Sequence, residues 1–235
     1  MIPTPESAPR RGKKVLDNLR IALDLTDADV DTLIRKDKGL ENAKIMNTAD
    51  PSMEFLRTRL ALSTPELRKM VLALPQVFSY SVENNMEPKL EYLEKRLSLD
   101  PDQLRNFIVT SSAVFAFKIE SMERNMKYFE TRFSFTKEEV LSLLSTQTSL
   151  MAYDIETNIE PTIDFFESLL GSEQGLALIK WHPALLGASL SKRLIPRRER
   201  MISVGVVFDD MNAKRMCYKT NDQFEKWLED ITPIS

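Results

Sequence analysis

The strongest constraint on the fold is an internal repeat with a period of about 36 residues. One column of the repeat holds five anchor residues, four of them proline: Pro51, Pro88, Arg124, Pro161 and Pro196. The first four anchors are followed by an apolar pair, for example Tyr92-Leu93 and Phe165-Phe166. Self-similarity at a fixed period of this length is typical of repeat proteins, in which stacked neighbours bury one continuous core.

A second column predicts where one helix of each repeat begins. It contains Ser, Thr or Asp in every repeat, at Thr26, Ser63, Asp100, Thr136 and Ser172. These side chains can accept hydrogen bonds from the free amides of a first helical turn, and Glu66, Gln103 and Glu139 add the spacing of a capping box. After Ser172 the position of the Glu or Gln is taken by Gly175, so the capping box there is incomplete. Apolar residues then recur on one helical face, and a further stripe after each anchor predicts a second amphipathic helix.

A short segment separates this pair of helices from the next anchor, at residues 75–80, 112–117, 148–153 and 183–186. Each is too short for another full helix, so we predict a single 3-10 turn. The sequence therefore predicts an all-α helical-repeat solenoid of two-helix units with a short 3-10 turn. The predicted units are 14–50, 51–87, 88–123, 124–160 and 161–195, with a capping half-unit at 196–235.

The two ends of the chain depart from the repeat. Residues 1–13 are rich in proline and basic residues and lack the apolar stretch of a secretory signal, so we predict a disordered basic lead-in. Residues 204–208 have β-propensity, but their position favours the end of a helix and its turn, with Gly205 at the helix terminus. The tail predicts a capping helix with Phe224, Trp227 and Leu228 facing inward.

Composition limits the function classes. Cys217 is the single cysteine and His182 the single histidine, which argues against an internal disulfide and against a Cys/His metal cluster. No stretch approaches the roughly 20 apolar residues that span a bilayer. We expect a monomeric protein without membrane segments, cofactor, metal or enzymatic activity.

The charge is distributed unevenly along the chain. The formal net charge is −3, but residues 180–220 contain nine Lys or Arg against three Asp or Glu, and residues 81–179 contain nine against seventeen. Such asymmetry creates a local field despite the small total. Several cations on adjacent turns can bind phosphates and release counterions, although a solvated helix face is the alternative. The candidate nucleic-acid contacts are Lys192, Arg193, Arg197, Arg198, Arg200, Lys214, Arg215 and Lys219.

Two other sets of residues have a structural and a functional interpretation. Tyr80, Phe117 and Tyr153 could stack on bases, but their position in the repeat favours core packing. Four glutamates at helical spacing suggest a solvated face that could also bind a basic protein partner. They are Glu83, Glu87, Glu91 and Glu94.

Four motifs of the chain occur together in one known family. They are the Pro-x-Leu/Ile-x-Tyr/Phe-Leu/Phe opening, the Pro-x-Val/Leu-Phe/Leu segment, the block Ser189-Leu-Ser-Lys-Arg-Leu-Ile-Pro-Arg197, and the Asn221-Asp-Gln-Phe224 tail. In these motifs the chain resembles the mitochondrial transcription termination factor (mTERF) family. The resemblance implies helix pairs with a short tighter helix per unit, wound into a curved superhelix whose basic inner surface holds nucleic acid.

The same resemblance implies a function and a location. We expect a protein of the mitochondrion or chloroplast that binds double-stranded DNA or RNA and regulates transcription, including its termination, or transcript handling. Three features depart from the family pattern, namely Arg124 at an anchor position, Ser112 and Thr148 in place of the inner proline, and the acidic middle repeats. They leave an alternative, an interaction scaffold that holds a protein on the acidic repeats, for example in organelle ribosome assembly.

Overall fold

The computed structural model describes residues 8–41 and 46–231 of the chain, and no β-strand occurs among them. The all-α helical-repeat fold predicted from the sequence is confirmed. The described residues form two compact units, one ending at Ile119 and the other beginning at Glu120, where the sequence predicted one solenoid. Within the described ranges, no helix has the length and apolarity that a membrane span requires.

The first unit contains three repeats, each with two helices and a 3-10 turn. In chain order they are α1 (Ala8–Leu23), α2 (Asp27–Lys36) and the 3-10 turn Lys38–Glu41; α3 (Met46–Leu60), α4 (Thr64–Ala73) and the 3-10 turn Pro75–Ser79; and α5 (Glu87–Leu97), α6 (Pro101–Thr110) and the 3-10 turn Ser112–Ala116. A π-helical turn, Val82–Met86, leads directly into α5.

The second unit continues the pattern and ends in a capping helix. It contains α7 (Ile119–Phe133), α8 (Lys137–Thr146) and the 3-10 turn Thr148–Met151; the π turn Ile155–Ile159, α9 (Glu160–Leu170), α10 (Ser172–Trp181) and the 3-10 turn Pro183–Gly187; and the π turn Leu190–Leu194, α11 (Ile195–Ser203), α12 (Asp210–Tyr218) and α13 (Asn221–Ile231). Residues 204–209 form neither helix nor strand, and Gly205 follows α11 with a φ of 74°, as expected for a helix terminus.

The repeats begin earlier than the sequence predicted. Each anchor lies inside the first helical segment of its repeat, which starts five or six residues before it, at 46, 82, 119, 155 and 190. At the amino terminus α1 starts at Ala8, so residues 8–13 are helical instead of belonging to a disordered lead-in. The remainder of that predicted lead-in, residues 1–7, lies outside the described residues.

The anchor prolines explain the π turns. A proline inside a helix lacks an N–H and collides with the carbonyl four residues earlier. Before Pro88, Pro161 and Pro196 the chain instead makes bonds that span five residues, such as Met86 N–H to the Ser81 carbonyl at 3.0 Å. The repeat with Arg124 has no π turn, because an ordinary α-helix is available there. Pro51 lies within α3 without such a turn in the described residues.

First helices end with a residue in the left-handed conformation. The positive φ recurs once per repeat, at Asp24, Ala61, Ser98, Ser134, Gly171 and Gly205. In the first three repeats the next residue is a buried leucine whose N–H bonds back across the helix end, as Leu62 does to the Arg57 carbonyl at 3.1 Å. This is the bond pattern of a Schellman motif, which satisfies a free carbonyl and reverses the chain tightly.

Second helices begin at the predicted capping boxes. Boxes are present at Thr26, Ser63, Asp100 and Thr136, and in the first of them Asp29 takes the place of the usual Glu or Gln. The fifth prediction is wrong by one residue, because Gly171 is the cap and Ser172 opens α10. A Cβ at Gly175 would lie 2.8 Å from the Glu167 backbone, so close helix packing replaces the box there.

The capping carboxylates also join neighbouring repeats. Arg68 of α4 contacts Asp29 of α2 at 2.5 Å. Arg105 of α6 holds Glu66 of α4 with two hydrogen bonds, of 2.6 and 3.1 Å. Each carboxylate therefore caps its own helix and pairs with the next repeat.

Both units bury the apolar faces expected from the sequence. The predicted 3-10 segments place pairs such as Val77 and Phe78, or Val114 and Phe115, in the core with no exposed surface. In the second unit the tail helix α13 closes the core with Phe224, Trp227 and Leu228, which confirms the predicted inward face.

Polar residues are buried at one position in five of the repeats, directly after the anchor. They are Ser52, Lys89, Asn125, Thr162 and Arg197. Lys89 Nζ donates to the Phe115 carbonyl at 2.5 Å, and Asn125 Nδ2 donates to the carbonyls of Leu150 and Tyr153 at 2.6 and 2.7 Å. We call Lys89, Asn125 and Arg197 the carbonyl fasteners, since each donates to a main-chain carbonyl at the end of its own repeat.

The left-handed Ala61 gives a stability prediction. A non-glycine residue in this conformation costs about 1–2 kcal/mol, part of which glycine recovers. Ala61→Gly should therefore raise the free energy of unfolding in urea by about 0.5–1 kcal/mol. The control Ala177→Gly, at an exposed position inside α10, should lower it by about 0.5–1 kcal/mol. Equal destabilisation by both changes would contradict the assignment.

The double role of Glu66 gives a pH prediction. Hydrogen bonds from Arg105, then from Ser63, lower the pKa of Glu66 from 4.5 to about 2. Because the folded pKa is the lower one, this stabilisation is complete above pH 4.5 and disappears as the pH falls towards 2. Glu66→Gln should therefore reduce the free energy of unfolding at pH 7 and have little effect near pH 2.

Urea unfolding at several pH values measures this difference. The matched control is Glu91→Gln, which removes an exposed carboxylate of α5 that pairs with no cation in the described part of the chain. A Glu66→Gln effect that does not change between pH 7 and pH 2 would exclude the charge pair as its source.

Candidate nucleic-acid interface

The eight candidate cations all lie in the second unit, on three consecutive elements. Lys192 and Arg193 are in the π turn before α11, and Arg197, Arg198 and Arg200 are in α11 itself. Lys214 and Arg215 are in α12, and Lys219 directly follows it. Arg193 Nη1 donates to the Cys217 carbonyl at 3.2 Å, which brings the π turn against the end of α12.

Arg197 does not fit the predicted role. It is only 6% exposed, and its guanidinium donates to the carbonyls of Met216 and Lys219 and to Asn221 Oδ1 at 2.7–2.8 Å. The guanidinium carbon also lies 4.6 Å from the centre of the Phe224 ring. Burial, followed by the nearby charge of Arg193, lowers the pKa of Arg197. Three of its five N–H groups donate inside the protein and the side chain is buried, so Arg197 is a carbonyl fastener and not a surface cation.

Two further candidates, Arg200 and Arg215, already make contacts with other side chains of this protein. Arg200 Nε pairs with Glu225 Oε2 at 3.2 Å, although both side chains are about half exposed. Arg215 Nη1 donates to Asn212 Oδ1 at 3.0 Å, and its guanidinium lies 5.3 Å from the centre of the Trp227 ring. An exposed ion pair contributes little to stability, so Arg200 can exchange Glu225 for another anion.

The remaining candidates have no acidic partner. Lys192 and Arg193 are exposed, and Lys214, Lys219 and Arg198 are half-buried. None of the five forms an ion pair with a residue in the described ranges. Cations without acidic partners keep their attraction for an external anion, and their mutual repulsion falls when a polyanion binds.

A groove of about 460 Å³ with a mixed polar and apolar lining lies beside the two π turns of the second unit. Hydroxyl and amide groups from both turns line it, at Thr157, Asn158, Ser189 and Ser191. Lys192 follows Ser191 in the same turn. Serine, threonine and asparagine side chains commonly bond to phosphate and sugar oxygens, so these neutral groups extend the cationic surface.

The aromatic and acidic residues singled out from the sequence are neither fully buried nor fully free for a ligand. Tyr80, Phe117 and Tyr153 are half-buried, and Tyr153 lines the groove beside the π turns. Lys89 Nζ lies 5.8 Å from the centre of the Tyr80 ring, so Tyr80 covers a carbonyl fastener. In the acidic set, Glu87 and Glu94 both bind Arg59, at 3.0 and 2.8 Å. Half of that acidic face is therefore neutralised within the first unit.

Two further side chains with reactive groups, Cys217 and His182, have shifted pKa values. Burial raises the pKa of Cys217 to about 12, so its thiol stays protonated at physiological pH. Burial and the charge of Lys214 lower the pKa of His182, which ends α10. Among residues 8–41 and 46–231, no three His, Cys, Asp or Glu side chains are grouped as metal ligands.

The structural role of Arg197 was missed although the sequence contains a signal for it. The residue after each anchor is polar in all five repeats, from Ser52 to Arg197. A polar column inside an apolar stripe indicates a buried hydrogen-bonding position. Arg197 occupies this column, and the other cations between Lys192 and Arg200 do not, so the repeat pattern alone distinguishes Arg197 from them.

Comparison with known proteins agrees with the repeat pattern. A family model described as mTERF matches residues 6–225 of the 235-residue chain. A search of curated proteins found no match.

Proposed function

Because the chain belongs to the mTERF family, we propose that it is an organellar nucleic-acid-binding protein that regulates gene expression in the mitochondrion or chloroplast. It acts on transcription, including its termination, or on transcript handling, and it has no catalytic step. Its ligand is DNA or RNA, held mainly through the phosphate backbone.

One observation carries this proposal, namely the group of cations without acidic partners in the second unit. The side chains that bind phosphate, which we call the grip, are Lys192, Arg193, Arg198, Lys214 and Lys219. Arg200 and Arg215 add further phosphate contacts after each gives up a weak contact within the protein. Lys192 and Arg193 lie in the first turn of a helical segment, where the backbone dipole repels cations and attracts anions. A phosphate bound here offsets both the repulsion between the cations and the repulsion between the cations and the helix dipole. Arg197 is excluded from the grip because it is buried.

The alternative, a scaffold that binds a basic protein on the acidic repeats, has weaker support. It depended on four carboxylates at helical spacing, and Arg59 already neutralises two of them. Glu83 and Glu91 remain exposed. A protein that co-purifies with the chain, together with no DNA or RNA binding at low salt, would favour this alternative.

The grip predicts a change in salt dependence. Each phosphate contact contributes about 0.9 to the slope of log affinity against log salt for duplex DNA, and about 0.7 for single strands. Lys192→Ala combined with Arg193→Ala should therefore reduce the slope by about 1.4–1.8 and weaken binding at every salt concentration. Fluorescence anisotropy with a labelled oligonucleotide measures both quantities.

The matched control removes two exposed lysines from the first unit, Lys95→Ala with Lys118→Ala. It changes the net charge equally but leaves the cationic group of the second unit intact. An equal loss of slope in both double variants would mean that only total charge matters, and would contradict the assigned grip.

A further inference from the structure

Tyr218 is an aromatic residue at the surface of the second unit. It is the last residue of α12 and is 53% exposed, whereas Ala213, Met216 and Cys217 on the other side of the helix are buried. Its ring makes no ring or cation–π contact with any described residue. The ring is therefore available to a ligand.

Several cations lie close to Tyr218 in the chain and at the end of α12. Lys214 and Arg215 precede Tyr218 by four and three residues in the same helix, a spacing at which side chains are neighbours on the helix surface. Lys219 follows it directly. The guanidinium of Arg193 donates to the carbonyl of Cys217, the residue before Tyr218, at 3.2 Å. Four positively charged residues therefore lie near Tyr218, three of them in or directly after α12 and one in the π turn that contacts the end of α12.

We propose that Tyr218 stacks on an unpaired base of single-stranded DNA or RNA while the nearby cations hold the adjoining phosphates. This inference rests on the proposed function and adds the class of nucleic acid. A duplex encloses its base faces in its own stack, whereas a single strand presents them to an aromatic side chain. A positive surface with an exposed aromatic ring is the combination that binds single strands without sequence preference.

The chemistry of the phenol is compatible with a polyanion. Burial of part of the residue, followed by the neighbouring Cys217, raises the pKa of Tyr218. The hydroxyl therefore stays uncharged at physiological pH and does not repel phosphate. The adjacent arginines can also bind the bases through their planar faces.

Removal of the ring should weaken single-strand binding without changing its electrostatics. For Tyr218→Ala we expect about 5- to 150-fold lower affinity for oligo(dT) and oligo(U) at fixed salt. The slope of log affinity against log salt should stay the same, since no charge is lost. Affinity for a duplex of equal length should also be unchanged. Comparison of oligo(dT) with oligo(U) shows whether DNA or RNA is preferred.

Two conservative variants separate stacking from apolar bulk. Tyr218→Phe keeps the ring and should bind single strands as the natural protein does. Tyr218→Leu keeps apolar volume without the ring and should lose affinity as Tyr218→Ala does. Because the side chain is exposed, thermal melting should show that all three variants remain folded.

The outcomes distinguish this inference from the function on which it rests. No nucleic-acid binding by the natural protein at low salt would overturn the proposed function. Binding that Tyr218→Ala leaves unchanged, an equal loss for duplex and single strand, or full affinity in Tyr218→Leu would each overturn the stacking role alone.

Discussion

The structure depends on buried polar side chains that join the end of a repeat to its first helix in three of the repeats. Helical repeats connect their elements through tight turns, and these turns leave main-chain carbonyls inside the core. A buried carbonyl without a donor is costly, so the donor has to come from a nearby side chain. In this chain Lys89, Asn125 and Arg197 supply it from the same position, directly after the anchor.

These three side chains differ in length and charge but perform the same task. Each delivers an N–H group to a carbonyl at the end of its own repeat, so the column tolerates different donors. A π turn precedes the anchors Pro88, Pro161 and Pro196, whereas Pro51 and Arg124 lie in helices that have none in the described residues. Two adjacent positions, the anchor and the residue after it, thus act on how the first helix starts and how the repeat closes. These two positions therefore explain more of the backbone geometry of a repeat than the helical propensity of its residues does.

The basic block at Lys192 to Arg200 shows why local sequence gives an incomplete account of a site. Periodicity predicted the helices, the 3-10 turns and the inward face of α13, because apolar spacing and capping residues act locally. It did not predict that Arg197 turns inward or that Arg200 pairs with Glu225, because those partners come from α12 and α13. The starts of the first helices were also missed, since the π turns depend on proline geometry that apolar spacing does not reveal. Which cations face an external anion is a property of tertiary packing.

The most direct test of the fastener concerns Asn125, which is neutral and fully buried. Asn125→Leu keeps the volume but removes the donors to the Leu150 and Tyr153 carbonyls. We predict that the free energy of unfolding in urea falls by about 2–4 kcal/mol, the cost of leaving two buried acceptors unsatisfied. The matched change Asn106→Leu, at an exposed position of α6, should alter it by less than about 0.5 kcal/mol. A loss for Asn125→Leu as small as that of the control would contradict the account.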